Sequence, residues 1–75
     1  MNTEARVVLY VRAGCHLCSE ARLVVTSVTT AFTEIDVDGD PALVARYGDQ
    51  VPVVTVDDRQ IGFWRIDPVR LRAAL

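Results

Sequence analysis

The chain has 75 residues, 51% of them hydrophobic, and a formal net charge of −2 at pH 7. That length allows one domain with a small core, leaving roughly 40% of the unfolded-state surface exposed after folding, and the apolar content excludes a disordered chain. All eight basic residues are arginines scattered along the sequence, so there is no clustered basic surface to call for nucleic acid or an anionic membrane.

The N-terminal stretch Met1-Asn2-Thr3-Glu4-Ala5-Arg6 carries an acid and leads into only five apolar residues before Arg12, too few for a signal-peptide core or a membrane span. A cytoplasmic monomer is therefore expected. In that reducing compartment two cysteines read as a cycling or metal-binding pair rather than a structural disulfide. Val7-Val8-Leu9-Tyr10-Val11 is an unbroken apolar run rich in β-branched residues, as in a central strand covered on both faces, with Tyr10 part of the core.

From His16 onward, Leu17, Ala21, Val24, Val25 and Val28 fall at helical spacing, with Ser19, Glu20, Arg22 and Thr26 opposite. An amphipathic helix thus begins at Cys15-His16-Leu17-Cys18. Ala31 to Val37 returns to a strand in which Thr33, Ile35 and Val37 alternate with Glu34 and Asp36 and Phe32 is out of phase. Asp40-Pro41 caps and starts a second helix, whose apolar side is Leu43, Val44 and Tyr47 and which Gly48 ends.

Val51 to Val56 and Gln60 to Phe63 read as a hairpin joined at Asp57-Asp58-Arg59. Asp67-Pro68 repeats the cap-then-proline device for a last helix on which Leu71 and Leu75 stack. Phe63 and Trp64 are most simply packing under that helix; an apolar surface for a partner is the other reading. The order is βαβαββα. It predicts one α/β domain over residues 1–75 with a four-stranded mixed sheet, the first βαβ unit parallel and right-handed and the terminal hairpin antiparallel.

In this layout the C-x-x-C pair lies at the end of the first strand and the N-terminus of the first helix. Unpaired backbone N–H groups and the positive end of the helix dipole favour thiolate over thiol there. A free cysteine titrates near ~8.5, and C-x-x-C cysteines so placed fall to roughly 3.5 to 7.5. Cys15 is the expected thiolate and nucleophile, and Cys18, one turn further in beside the apolar stripe, the resolving thiol. Arg12 and a protonated His16 would add to the shift; each has a plain alternative, as a solvated strand-end charge and a surface residue at a helix start.

Two other readings of the cysteines stand beside redox exchange. Zinc needs about four ligands, whereas the chain offers two thiols and one histidine, so a metal is not expected within one monomer. Burial of both cysteines as small hydrophobes is the other. The run Asp36-x-Asp38-x-Asp40 is not a calcium loop, because Pro41 interrupts it and the acid at the twelfth position is missing.

Val51-Pro52-Val53 is the second informative stretch, since proline is confined to a strand's start or edge. A cis bond there would leave the Val51 backbone facing outward, where an extended peptide or a thiol tripeptide could pair with it.

Tyr10-x-Arg12-x-Gly14-Cys15-x-x-Cys18, Asp36-x-Asp38, Val51-Pro52-Val53 and Ile61-Gly62 together resemble the glutaredoxins over nearly the whole chain. The likeness extends to small bacterial glutaredoxin-like proteins through Gly-Cys-His-Leu-Cys, Asp40-Pro41-x-Leu43 and Tyr47-Gly48. The resemblance implies a thioredoxin fold, Cys15 as nucleophile, Cys18 as resolving thiol and a cis Pro52, with Arg12 approaching a substrate carboxylate and Val51, Pro52 and Gly62 lining the substrate site. The implied activity is thiol–disulfide exchange on a protein or a low-molecular-weight disulfide. No cofactor is held; glutathione, another thiol or thioredoxin reductase would recycle the pair.

Two positions depart from the glutaredoxin pattern. His16 stands where proline usually follows the first cysteine, and Gly62 is followed by Phe63-Trp64-Arg65 in place of a second glycine and a helix-capping aspartate. Small redoxins served by thioredoxin reductase also lack the full set of glutathione determinants. A non-enzymatic binding or regulatory domain on the same fold, using Phe63, Trp64 and the Pro52 groove, is the alternative from another class.

Overall fold

The computed structural model describes residues 6–75; residues 1–5, most of the stretch read as lacking a signal-peptide core, lie outside them. The elements are β1 (Val7–Val11), α1 (His16–Val28), β2 (Phe32–Asp36), a 3₁₀ turn (Val37–Gly39), α2 (Pro41–Tyr47), β3 (Val53–Val56), β4 (Arg59–Phe63) and α3 (Pro68–Ala74). They form a four-stranded sheet in the order β2-β1-β3-β4. β1 pairs parallel with β2 and antiparallel with β3, and β3 pairs antiparallel with β4. This is the α/β arrangement of the thioredoxin fold, and no helix among the described residues is long and apolar enough to cross a membrane.

The two faces of the sheet carry different helices, and the alternation along β1 sends residues to each. Val7, Leu9 and Val11 join Val54, Val56 and the buried residues of α1 and α3 in one core; Tyr10 and Val53 pack with Val37, Leu43, Val44 and Tyr47 of the 3₁₀ turn and α2 in another. Successive strand residues point to opposite faces, so a strand with apolar residues throughout must be covered twice. The rings of Tyr10 and Tyr47 lie 4.6 Å apart across the second core.

Several boundaries differ from the sequence reading for physical reasons. β2 is an edge strand that ends at Asp36, where the Asp36 carboxylate accepts from the Asp38 N–H and closes the 3₁₀ turn that buries Val37. Thr33 is exposed, and the partly buried residues of β2 are Phe32 and Ile35, so strict alternation does not hold on a short edge strand. β3 starts at Val53, because Pro52 offers no ladder N–H. Arg59 belongs to β4, leaving a two-residue turn, Asp57-Asp58, with φ of 52° and 67°. Those left-handed values match the twist of a hairpin, and aspartate tolerates them.

Gly48 ends α2 with a right-handed φ of −52°. It is glycine for want of space: a Cβ there would lie 2.5 Å from the Val44 carbonyl oxygen and 3.2 Å from Arg12 Nη1. In α3, Leu71 is fully buried whereas Leu75 is exposed, so the inward-facing partner at the end of the helix is Ala74. Phe63 and Trp64 do not pack under α3; both are exposed, at 44% and 52%.

Three arginines tie the periphery together: Arg6 to Asp57, Arg12 to Asp38 and Arg22 to Glu34. Arg22 donates to both Glu34 oxygens at 2.7 Å and so clamps α1 to the edge strand. That hydrogen bonding holds the Glu34 carboxyl below the usual glutamate range against an opposing desolvation.

Two outcomes follow. Leu71→Ala lowers the unfolding free energy in urea by about 2–5 kcal/mol through loss of buried contacts and the cavity left behind, whereas Leu75→Ala stays within about 0.5 kcal/mol. Because the folded-state value of Glu34 is depressed, the clamp contributes stability above the unfolded glutamate pKa and loses it as pH falls through the folded one. Urea midpoints measured from pH 7 downward should therefore fall less steeply for Glu34→Gln than for the native chain in the acid range below about pH 4.3.

Candidate functional site

The connection from β1 to α1 is short and sharply turned, through Arg12, Ala13 and Gly14. Gly14 has φ +78° with open space around its Cα, so backbone conformation rather than crowding calls for glycine. The turn delivers Cys15 as the N-cap of α1, with extended backbone and its side chain accepting from the Cys18 N–H, Sγ to N 3.1 Å. Cys15 and Cys18 are joined as a disulfide, their Cα atoms 5.3 Å apart.

The two sulfurs have unequal surroundings. Cys18 is 3% exposed and belongs to the core between α1 and the sheet, whereas Cys15 is half-buried at its margin. No acidic residue occupies the first turn of α1, so nothing there opposes negative charge on a sulfur at the helix start. His16 is the first helical residue and is exposed.

The Val51-Pro52 bond is cis, and Pro52 is buried. Val51 is half-buried and packs against the same core as Cys15, so the 51–52 segment and the start of α1 share one apolar support. Among the described residues the Val51 backbone has no hydrogen-bond partner, whereas Pro52 contributes its carbonyl to the Trp64 N–H at 2.9 Å.

Other residues singled out from the sequence fall elsewhere. Arg12 is half-buried and fully engaged: its Nε and Nη2 meet the Asp38 carboxylate at 3.0 and 2.9 Å, and its Nη1 donates to the Gly48 carbonyl at 3.2 Å. The Asp38 contact raises its pKa above the usual arginine value. Arg12 thus links the end of β1 to the 3₁₀ turn and the end of α2. Gly62 lies in β4 opposite Val54, and a Cβ there would meet only the Ile66 side chain at 3.8 Å. β4 carries an extra residue at this point, since Val54 faces Gly62 and Thr55 faces Gln60; the skipped Ile61 packs into the core.

Trp64, read from the sequence as packing under the last helix or as part of a partner surface with the Pro52 groove, lies against the segment that leads into Pro52. It has φ +60°, its N–H reaches the carbonyls of Pro52 and Gln50, and its indole N–H donates to the Asp49 carbonyl at 3.1 Å. Its ring stands edge-on to Phe63 with centroids 5.1 Å apart. A cleft of about 220 Å³ is lined by Trp64, by Leu17, Glu20, Ala21 and Val24 of α1, and by Arg65 and Ile66. A larger cleft of about 440 Å³ lies between β4 and α3 and includes neither cysteine nor the 51–52 segment.

No group of three or more histidine, cysteine, aspartate or glutamate side chains able to hold a metal occurs among the described residues. What the arrangement can do chemically is open and close one disulfide, with one sulfur reachable and the other sheltered.

A family model for the Glutaredoxin-like domain (DUF836) matches residues 6–75. The chain belongs to this glutaredoxin-like family. Uncharacterized proteins of Mycobacterium tuberculosis and Mycobacterium bovis are 40% identical to it over 77 residues, spanning 91% of this chain and 79% of theirs. A structural-genomics target protein from X. campestris is 38% identical by its X-ray structure, with a TM-score of 0.76 over 89% of this chain and 91% of that one. The buckwheat glutaredoxin–glutathione complex aligns with a TM-score of 0.59 at 19% identity over 79% of this chain and 61% of that one, a likeness of fold. A glutaredoxin-like fold carrying a C-x-x-C disulfide at a helix start fits a redox role.

The unequal exposure of the two sulfurs has a direct test. When the fully reduced protein is treated briefly with iodoacetamide at neutral pH, peptide mass spectrometry should find Cys15 labelled well before Cys18. Equal labelling, or Cys18 first, contradicts the arrangement.

Proposed function

We propose that the protein is a dithiol–disulfide oxidoreductase acting through Cys15 and Cys18. The observation that carries this reading is the Cys15 sulfur at the N-cap of α1, receiving the Cys18 N–H while Cys18 itself is buried. In the reduced protein the same N–H donates to a thiolate, a charge-assisted contact stronger than one between neutral groups.

In the reaction, the Cys15 thiolate attacks one sulfur of a substrate disulfide. A Cys15–substrate disulfide forms, and the other substrate sulfur leaves as thiolate and takes a proton from solvent. Cys18 then loses its proton and attacks the Cys15 sulfur, forming the internal disulfide and releasing the second substrate thiol. The protein gives up two electrons and the Cys18 proton, solvent supplies the second proton, and the substrate disulfide becomes two thiols. Glutathione, another low-molecular-weight thiol or thioredoxin reductase reverses the change in the protein.

The remaining residues support that step. The unpartnered Val51 backbone beside Pro52 is suited to hydrogen-bond an extended substrate segment next to its disulfide. His16, exposed at the first helical position, places an ionisable ring next to the nucleophile. Arg12 already shares its donors between Asp38 and Gly48, so it serves the site as a brace, and a substrate carboxylate would have to compete with Asp38. Gly62 stands with these residues by the family resemblance, since a Cβ there would make only ordinary contact with Ile66. The exposed Phe63 and Trp64 favour a second reading, a binding domain without turnover.

Cys18→Ser separates the two. Incubated with oxidised glutathione or insulin, that variant should accumulate a mixed disulfide through Cys15, seen as an added mass under non-reducing conditions, while Cys15→Ser accumulates none. A native protein that reduces no disulfide, together with a Cys18→Ser variant that traps none, would leave the binding domain standing. Turnover coupled to glutathione and its reductase, compared with thioredoxin reductase, then identifies the recycling partner.

A further inference from the structure

Trp64 is the bulky residue among those described that adopts a left-handed backbone; the other non-glycine residues with positive φ, Asp57 and Asp58, belong to the β3–β4 turn that calls for it. A large side chain at φ +60° is a steric outlier that persists only when its surroundings hold it. Burial of the residue does not account for it, since Trp64 is 52% exposed. Both of its N–H groups, however, donate to one segment.

The backbone N–H reaches the carbonyl of Gln50 at 3.3 Å and that of Pro52 at 2.9 Å, the residues on either side of Val51. The indole N–H reaches the Asp49 carbonyl at 3.1 Å. One residue earlier, the Gly48 carbonyl accepts from Arg12 Nη1 at 3.2 Å. The carbonyls of Gly48, Asp49, Gln50 and Pro52 are thus all held from outside the run. Val51 is the exception, with no partner for its N–H or its carbonyl among the described residues. The strand register carries that free amide toward the cysteines: β1 and β3 are antiparallel with Tyr10 opposite Val53, so the chain entering β3 through Val51 and Pro52 runs beside the chain that leaves β1 for Cys15.

From this arrangement we propose that Trp64 is a positioning residue: by gripping both neighbours of Val51 it keeps the Val51 N–H and carbonyl free for the backbone of a substrate beside its disulfide. The preferred substrates are then disulfides that carry peptide bonds next to their sulfurs, whatever their side chains, because an extended chain supplies the matching carbonyl and N–H. Loss of the indole donor frees the segment at Asp49 and lets Val51 leave the orientation that pairing needs. Cys15 itself is untouched. This inference rests on the oxidoreductase reading above.

The test measures single turnovers of the reduced protein. In each, the protein gives up two electrons and the Cys18 proton, solvent supplies the second proton, the Cys15–Cys18 bond forms and the substrate disulfide becomes two thiols. One probe is the disulfide dimer of acetyl-Ala-Cys-Ala-amide, with peptide bonds on both sides of each cysteine; the other is bis(2-hydroxyethyl) disulfide, which has none. Each rate is divided by that of dithiothreitol with the same disulfide, so that intrinsic reactivity cancels. The native protein should favour the peptide by about tenfold, as backbone hydrogen bonds to one residue would give. Trp64→Phe, which keeps an aromatic ring and drops only the indole donor, should lower that preference by about threefold. Trp64→Gly, which accommodates the left-handed backbone, should lower it at least as far. Both variants should keep the native pH profile of Cys15 alkylation. The preference is a ratio within one protein, so a reduced folded fraction cancels. In the mixed disulfide that Cys18→Ser forms with the peptide, the Val51 amide should exchange with deuterium more slowly than in the free variant. Absence of a native preference, a native preference retained by either Trp64 variant, or an alkylation profile shifted in both overturns the role of Trp64; equal exchange at Val51 overturns the pairing. A native protein that oxidises with neither disulfide overturns the oxidoreductase reading itself, and is told apart because no ratio can then be formed.

Discussion

One backbone N–H aimed at one sulfur organises this molecule. The Cys18 amide points at the Cys15 sulfur because Cys15 is the last non-helical residue before α1, and an orphan donor in the first turn needs an acceptor. That position depends on the left-handed turn at Gly14 and on α1 seating Cys18, Ala21 and Val25 against the sheet. Turning α1 by one residue, about 100°, would carry Cys18 out of the core and the amide away from the sulfur. Fold and site are thus held by the same packing.

The composition becomes intelligible at the edges of the sheet. All basic residues are arginine, and Arg6, Arg12 and Arg22 each present a planar fork to a carboxylate from a distant part of the chain. A guanidinium matches a carboxylate with two parallel donors, which an ammonium cannot do. Such pairs are exposed and individually contribute little to stability. Their value is geometric: they fix the 3₁₀ turn, the hairpin and the edge strand relative to the core, and Arg12 does so at the strand that leads into the cysteines. Its proximity in sequence to Cys15 suggests a substrate contact; its partners make it a strut between Asp38 and Gly48.

The site's individuality lies in the loop after β4. Phe63 and Trp64 leave the core, and Trp64 turns back onto the segment before Pro52 through its backbone and indole N–H groups.

Much was legible without coordinates. The run Val7–Val11, the helical spacing from Leu17 to Val28, the two aspartate–proline helix starts and the C-x-x-C at a strand-to-helix junction determined the element order, the mixed sheet and the address of the cysteines, because each rests on local backbone preference or on a periodicity that one segment displays by itself. Only the tertiary structure decided which face of β1 meets which helices, that Asp38 and Gly48 hold Arg12, that Leu75 stays outside while Ala74 turns in, and that Trp64 is held to Asp49, Gln50 and Pro52. These outcomes join residues far apart in the chain, as with Arg12 and Asp38 or Trp64 and Asp49. Such a contact is settled by how the layers pack and how the strands pair, and no period or motif within either segment records it.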